Sequence, residues 1–513
     1  MSTGSHSINP KRWWILIGVS IAGILVAIDF TIVNICLPTI QHYFAISTNT
    51  LQWLMLGFGI TFASCMTAAG KMADIIGRRK VLYSSVVIFI LASLGAGLAT
   101  HVQFLIAMRF LQGLASAAIF PCGTAIIASS FPEAERSTAI GLYGSTLGIG
   151  LAIGPVLGGL IVSYLSWQWI FFINVPISLL ALFICYFIGQ LKESKHTHTP
   201  PIDWLGTLSL VIGIAGFCFT ISQGAYFGWH STVILVSALL ALIAFIALAF
   251  DIRTHRYPVI PSNLLSNKAF LLGAVIYIVT VSVTWVVAFY TPLYLHLIAG
   301  QTIGKAALWF SIITVLTIIV PAIAGYIYGQ HSKTWITHIS FMTSVIGLLL
   351  LSCFTTQTST WLMLASFVFV GSAWGAGNGI SLSIGLLSIK GHNDAGVVSG
   401  ALLTVLNMVG TVFVAIATKL FTAKEAATLL RHLKAEHISL TPAQVHSVKA
   451  WLSDPEQSQR LIAETGQPLA NKVIALFHTS FMSGFSLVFM VFAAIVAVLY
   501  VCSLKTISTL FKQ

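Results

Sequence analysis

The sequence predicts an all-α polytopic membrane protein of about fourteen transmembrane helices. Three observations carry that prediction. The 513 residues are 57% hydrophobic and 7% charged, where soluble domains carry about 25% charged residues. The mean hydropathy is +0.94. The apolar residues also gather into runs separated by short polar breaks, most of them about 20 residues or more and so long enough to cross a bilayer as a helix.

The runs fall at 13–38, 50–69, 81–99, 103–125, 137–161, 168–190, 203–222, 232–250, 269–297, 305–327, 336–353, 361–388, 396–418 and 478–503. The first follows Lys11 and Arg12, as a secretory signal would. It is too long for a signal h-region and has no small-residue cleavage site, so it reads as a retained span. Hydrophilic stretches at 191–202 and 251–268 bracket the seventh and eighth runs. The expected layout is an N-terminal six-helix bundle (1–190), a linker with two additional helices (191–268) and a C-terminal six-helix bundle (269–513) that includes an extracytoplasmic loop at 419–477. Two six-span bundles with a site between them near the midplane are a transporter plan.

Lys71, Arg78, Arg79, Lys80, Arg136, Lys192, Lys195, Arg253, Arg256, Lys268, Lys333 and Lys390 all fall in alternate short loops. The positive-inside rule then puts both termini in the cytoplasm. A formal net charge of +12 would suit nucleic acid. Its confinement to short loops between apolar runs points to the lipid bilayer as partner and not to nucleic acid. The polar segment 419–477 reads as a solvated spacer or as a docking surface for a periplasmic adaptor protein. Within it, Thr441-Pro442 starts a helical pattern with Val445, Val448 and Leu452, stopped at Asp454-Pro455. The 7 Cys and 15 His have no metal-ligand or redox spacing, and no nucleophile–base spacing is found. Neither a metal, an organic cofactor nor an enzyme activity is expected.

Asp29 lies in the middle of the first run. A carboxylate at the centre of a membrane helix costs about 2.5–3.5 kcal/mol on insertion scales. The other carboxylates read as loop or span-end residues. Arg109 is a second charge, in the fourth run. A helical rise of about 1.5 Å per residue puts Asp29 roughly 13 Å and Arg109 roughly 11 Å below the outer surface. Apart in lipid the two would cost about 5–7 kcal/mol, so they are expected to face one polar cavity together. Burial makes a carboxyl hold its proton more tightly, and a neighbouring guanidinium makes it hold less tightly. A cavity that opens alternately to each side changes both influences, which is how a carboxyl moves protons across a membrane.

The stretch Gly70-Lys-Met-Ala-Asp74-Ile-Ile-Gly77-Arg78-Arg79-Lys80 reads as a latch between helices. Gly70 and Gly77 permit a tight connection, and Asp74 is placed to accept from Arg78 or from a helix N-terminus. In the fifth run Gly150, Gly154 and Gly158 recur every four residues, a smooth stripe for close helix contact. Pro155 bends that helix.

These stretches resemble the major facilitator superfamily, and within it the fourteen-span drug:proton antiporters of the EmrB/QacA type. The resemblance is carried by Gly70-x-x-x-Asp74-x-x-Gly77-Arg78-Arg79-Lys80, by Arg109-x-x-Gln112-Gly113 and by Gly150-x-x-x-Gly154-Pro155-x-x-Gly158-Gly159. It extends to Asp29-x-Thr31-Ile-Val-Asn34-Ile-Cys-Leu-Pro38, Trp167-Gln-Trp169-Ile-Phe171-Phe-Ile-Asn174-Val-Pro176 and Asp203-Trp204-x-Gly206. It implies the major facilitator fold and rocker-switch export of lipophilic small molecules or drugs coupled to protons, from the bacterial inner membrane. It implies Asp29 as proton site with Arg109 as partner, and Gly70, Asp74, Gly77, Arg78, Arg79, Gly150, Gly154, Pro155 and Gly158 as gating elements. The second half keeps only a faint copy of the loop motif, Gly325-Tyr-Ile-Tyr-Gly329-Gln-His, without the acid or the Arg pair. Gln168 stands where Arg is usual, and the run 396–418 offers Thr404 and Asn407 in place of an acid.

A substrate cavity is expected to draw on Asn34, Trp53, Gln112, Trp285, Phe289, Tyr290, Trp374, Asn378 and Asn407. Aromatic faces with a few polar groups suit flat lipophilic compounds. The alternatives are a dedicated exporter of one metabolite, siderophore or lipid-like compound, or the inner-membrane component of a multi-protein export assembly.

Overall fold

The computed structural model describes residues 10–46, 48–188, 201–301, 303–330, 333–389, 394–436 and 467–511. Fourteen helices among them are long and apolar enough to cross a membrane. In chain order they are α1 (Arg12–Phe44), α2 (Thr48–Ile76), α3 (Arg78–Gly97), α4 (Val102–Ser130), α5 (Glu133–Tyr164), α6 (Trp169–Phe187) and α7 (Trp204–Phe227). Then come α8 (Thr232–Thr254), α9 (Lys268–Leu293), α10 (Ile303–Gln330), α11 (Lys333–Ser352), α12 (Thr360–Leu386), α13 (Ala395–Ala435) and α14 (Gln467–Leu510).

Each helix overlaps an apolar run, and most outrun it, because a helix continues on its own backbone hydrogen bonds after the hydrocarbon ends. Pro38 lies inside α1 and does not end it, since a membrane helix tolerates one missing donor when neighbours re-satisfy the freed carbonyl. The largest differences are in the last two helices. α13 runs on to Ala435 and α14 begins at Gln467, so both ends of the expected 419–477 loop are helix. Leu429, Leu433, Val473 and Phe477 are buried there, and Lys472 pairs with Glu436 at 2.5 Å. That apolar face and ion pair hold the extension together. The pattern around Thr441-Pro442, and Lys192, Lys195 and Lys390, lie outside the described residues.

α1 to α6 pack on one another, as do α9 to α14, while α7 and α8 pair together and lean on α2 and α13. Asp203 anchors this extra pair. Its carboxylate caps α7 by accepting from Gly206 N at 2.7 Å and reaches the loop before α9 through Val259 N at 2.8 Å. Asp203→Ala would leave two buried amides without acceptors, a loss of about 2–5 kcal/mol. A clear drop in Tm of the purified protein is expected, and an unchanged Tm would show that the extra pair does not depend on this anchor.

The two halves meet on one end of the molecule. Arg12 bonds Glu135 there at 2.9 Å, and the ring of Phe511 lies 6.3 Å from that of Tyr328, so this end carries the start of α1 and the end of α14. α5 meets α10 where Gly141, Gly144 and Gly148 face Pro321 and Thr317. α2 meets α13 through Thr67–Thr404 at 2.8 Å, Asn407 to Met66 Sδ at 3.6 Å and Lys71–Asp394 at 3.5 Å. Along α5 the residues from Ala139 to Thr146 are buried except for half-buried Leu142, but Val156, Leu160 and Tyr164 are 63%, 51% and 82% exposed. The halves are therefore closed over the termini end.

Candidate functional site

Five helices of the first half converge on one carboxylate. Arg109 Nη1 on α4 donates to Asp29 Oδ2 at 2.5 Å. Asn174 Nδ2 on α6 and Gln112 Nε2 on α4 donate to Asp29 Oδ1 at 2.8 and 3.2 Å. Gln112 Nε2 also donates to Ser93 Oγ on α3 at 2.9 Å, and Arg109 Nε to the carbonyl of Leu54 on α2 at 3.0 Å. The guanidinium carbon stands 4.5 Å from the centre of the Phe58 ring. Asp29, Ser93, Arg109, Gln112 and Asn174 are all 0% exposed.

Small residues make this convergence possible. A Cβ on Gly113 would collide with Thr61 Oγ1 and the Phe58 carbonyl, so α4 approaches α2 closely enough for Arg109 to reach Leu54. Cβ atoms on Gly150 and Gly154 would collide with Ala27 and Thr31 of α1. The stripe on α5 thus clasps α1 on both sides of Asp29, and Gly158 continues it against Ile32. The same α5 carries the contacts with α10 farther along, so the helix that holds Asp29 and the seam between halves share one neighbour.

The cluster is charge-balanced but not fully satisfied. Arg109 Nη2, Asn174 Oδ1 and Ser178 Oγ are buried without a hydrogen-bond partner. Protonating Asp29 would leave the Arg109 guanidinium as an uncompensated buried cation, and removing one partner of a buried pair costs about 3–5 kcal/mol. The packing of α1 against α4 thus depends on the charge of this one carboxylate.

The latch closes on the other half. Asp74 Oδ1 accepts from Arg78 Nε at 3.0 Å and Nη2 at 2.8 Å, while its Oδ2 accepts from Val397 N at 2.9 Å in the first turn of α13. A carboxylate at a helix N-terminus is favoured by the helix dipole, so Asp74 caps α13 from across the seam. Arg78 also donates to the Ala125 carbonyl at 3.2 Å, and Arg79 lies over Tyr83 and Tyr186. Gly77 is the single residue between α2 and α3, at φ 118°, where only glycine is unstrained. Gly70 is not part of that turn. It sits within α2 at the crossing with α13, backbone against Gly396.

The expected cavity residues separate. Gln112 is absorbed into the Asp29 cluster, where its amide serves both Ser93 and the carboxylate. Asn34 is exposed on α1 and bonds its own helix at Phe30 O, 3.3 Å away. Trp53 stacks between Phe110 and Phe219 of α7, and Tyr290 packs in the second half against Phe421. Asn378 accepts from Tyr277 Oη at 3.3 Å and lies close to Gly144 across the seam. Asn407 reaches across it to Met66. Trp285 is half-buried, Phe289 exposed and Trp374 buried. Of the nine, the structure brings Asn378 and Asn407 to the junction of the halves. Sequence reasoning missed Ser93 and the bonding role of Asn174. A polar residue inside each of two apolar runs was the available signal.

Residues 19–221 match the sequence profile described as Major Facilitator Superfamily. The chain is 28% identical over 337 residues to the probable multidrug resistance protein EmrY of Escherichia coli (strain K12), covering 65% of this chain and 64% of EmrY. This match thus spans slightly less than two thirds of EmrY's length. It is 26% identical over 518 residues to the multidrug transporter protein MdtP of Bacillus subtilis (strain 168), covering 97% of this chain and 94% of MdtP. Among solved structures, a bacterial homologue of the human lysosomal transporter Spinster, inward-facing and unoccupied, aligns with a TM-score of 0.56. Its identity is 16%, over 98% of each chain, a likeness of fold.

Proposed function

We propose that the chain, which matches the major facilitator superfamily over residues 19–221, is a proton-coupled antiporter of that superfamily that exports lipophilic small molecules from the bacterial cytoplasm. In this reading it sits in the inner membrane with both termini cytoplasmic, acts as a carrier and not a catalyst, and needs no cofactor beyond the proton gradient. The end closed by Asp74 and Gly70 is then the cytoplasmic gate, and the conformation described is closed to the cytoplasm.

One observation carries the coupling: a fully buried carboxylate paired with a fully buried guanidinium on helices clasped to the element that forms the seam. A static ion pair would need no such connection. Export of lipophilic compounds is supported by the multidrug names of EmrY and MdtP. The test is transport by the full chain in proteoliposomes with an imposed proton gradient and a panel of lipophilic dyes. Dye movement that needs the gradient, and releases protons when the dye is added, is expected. Dye movement equal with and without the gradient would remove proton coupling.

A further inference from the structure

The second copy of the latch lacks its acid, and the space left there is lined with cations. Gly70 and Asp74 on α2 have counterparts four residues apart on α10 at Gly325 and Gly329, and Arg78, four residues after Asp74, corresponds to Lys333, four after Gly329. The geometry repeats as well. Asp74 faces Gly396 and Val397 at the start of α13. Gly329 faces Ala134 at the start of α5, with 3.3 Å from its would-be Cβ to the Ala134 carbonyl oxygen. One half caps the other's helix with a carboxylate, and the return contact has no side chain to do so.

A cavity of about 390 Å³ lies at that place, lined by Glu133, Arg136, Tyr328, Gly329, Lys333 and Ser383 among others. It draws walls from α5 of one half and α10, α11 and α12 of the other. Two of its donors are unspent: Arg136 Nε and the hydroxyl of Tyr328 are buried without a hydrogen-bond partner, and Tyr328 is 2% exposed. The Lys333 ammonium stands 5.8 Å from the centre of the Tyr328 ring. Among the described residues no carboxylate lies within 4 Å of Arg136 or Lys333. Glu133 is exposed at the rim and leaves the lining with one net positive charge.

We propose that this cavity binds a phosphate-type anion, which takes the part that Asp74 plays at the other seam: it bridges Arg136 of the first half and Lys333 of the second at the N-terminus of α5. Helix-lined basic pockets at the cytoplasmic face suit anionic headgroups, so the anion is the headgroup of an anionic lipid or free phosphate. Bound there, it holds α5 to α10 and favours the conformation closed at the termini end. The proposal does not depend on what the protein exports.

The experiment uses the full chain in nanodiscs of phosphatidylcholine, alone, with phosphatidylglycerol, or with inorganic phosphate. Wild type is expected to gain Tm with phosphatidylglycerol or with phosphate, and the additive that acts identifies the source. Lys333→Gln removes an exposed cation and is expected to weaken that response about fivefold in apparent affinity. Lys419→Gln, a basic residue at the far end, is expected to leave it unchanged. Gly329→Asp supplies the missing acid internally, and is expected to raise Tm without added anion and to abolish the response to it. No response of wild type to either additive would overturn the proposal. So would a response in Lys333→Gln equal to wild type, which decides the matter even if Gly329→Asp does not fold.

Discussion

Asp29→Asn is expected to abolish substrate-driven proton release while the protein still inserts and binds substrate. Asn keeps the shape and one acceptor oxygen for Asn174 and Gln112, but it takes up no proton and carries no charge. Two effects follow, and they are separable. Coupling is lost because, among the described residues, no other carboxylate occupies the cluster. Stability also falls, by about 3–5 kcal/mol, because Arg109 is left as a buried cation without its counter-ion. Adding Arg109→Gln to Asp29→Asn removes that orphaned charge, so the double variant is expected to regain much of the lost Tm and none of the coupling. The measurement is proton release from proteoliposomes beside thermal unfolding of the same preparations. Undiminished proton release in Asp29→Asn would take this carboxylate out of the mechanism and leave it a structural ion pair.

The meeting of Asp29 and Arg109 was legible in the sequence because depth in a membrane is a one-dimensional quantity. Two charges at the same height in hydrocarbon have few ways to be stable, and counting residues along two helices gives the height. The number of spans was legible for the same reason. What a count along the chain does not give is which face of a helix meets which neighbour. Gln112 shows this: three residues after Arg109, it turns with it toward Asp29 and not toward a substrate. Gly70 shows it too. In the sequence it stands beside a turn, yet it acts at a crossing with a helix more than 300 residues away. The continuation of α13 to Ala435 was hidden because hydropathy reports where lipid stops and not where a helix stops. Its buried Phe421, Leu429 and Leu433 stand eight and four residues apart among Lys, Glu, Arg and His residues, a mark of a packed face that the sequence carried there.

Gly70→Ala is expected to cost more in transport than any other single methyl group added to this half. The added Cβ would lie 2.6 Å from the carbonyl carbon of Gly396 and closer still to its oxygen, and both are backbone, so no side chain can rotate aside. α2 and α13 must part by more than an ångström to reach ordinary contact distance. That separation stretches the bond from Val397 N to Asp74 and the Thr67–Thr404 bond, at 2.9 and 2.8 Å. A charge-assisted hydrogen bond is worth about 1.5–3 kcal/mol, so the conformation closed at the termini end loses about ten- to a hundredfold in population. Turnover is expected to fall by a similar factor, with the spin-label distance between Ile76 and Leu387, both exposed near that end, longer than in wild type. Gly59→Ala on the same helix is the control. Nothing lies within 4 Å of its would-be Cβ, and wild-type turnover is expected. A Gly70→Ala protein with normal turnover and an unchanged distance would mean that the crossing gives way without loosening the latch, and that Asp74 does not hold the halves together.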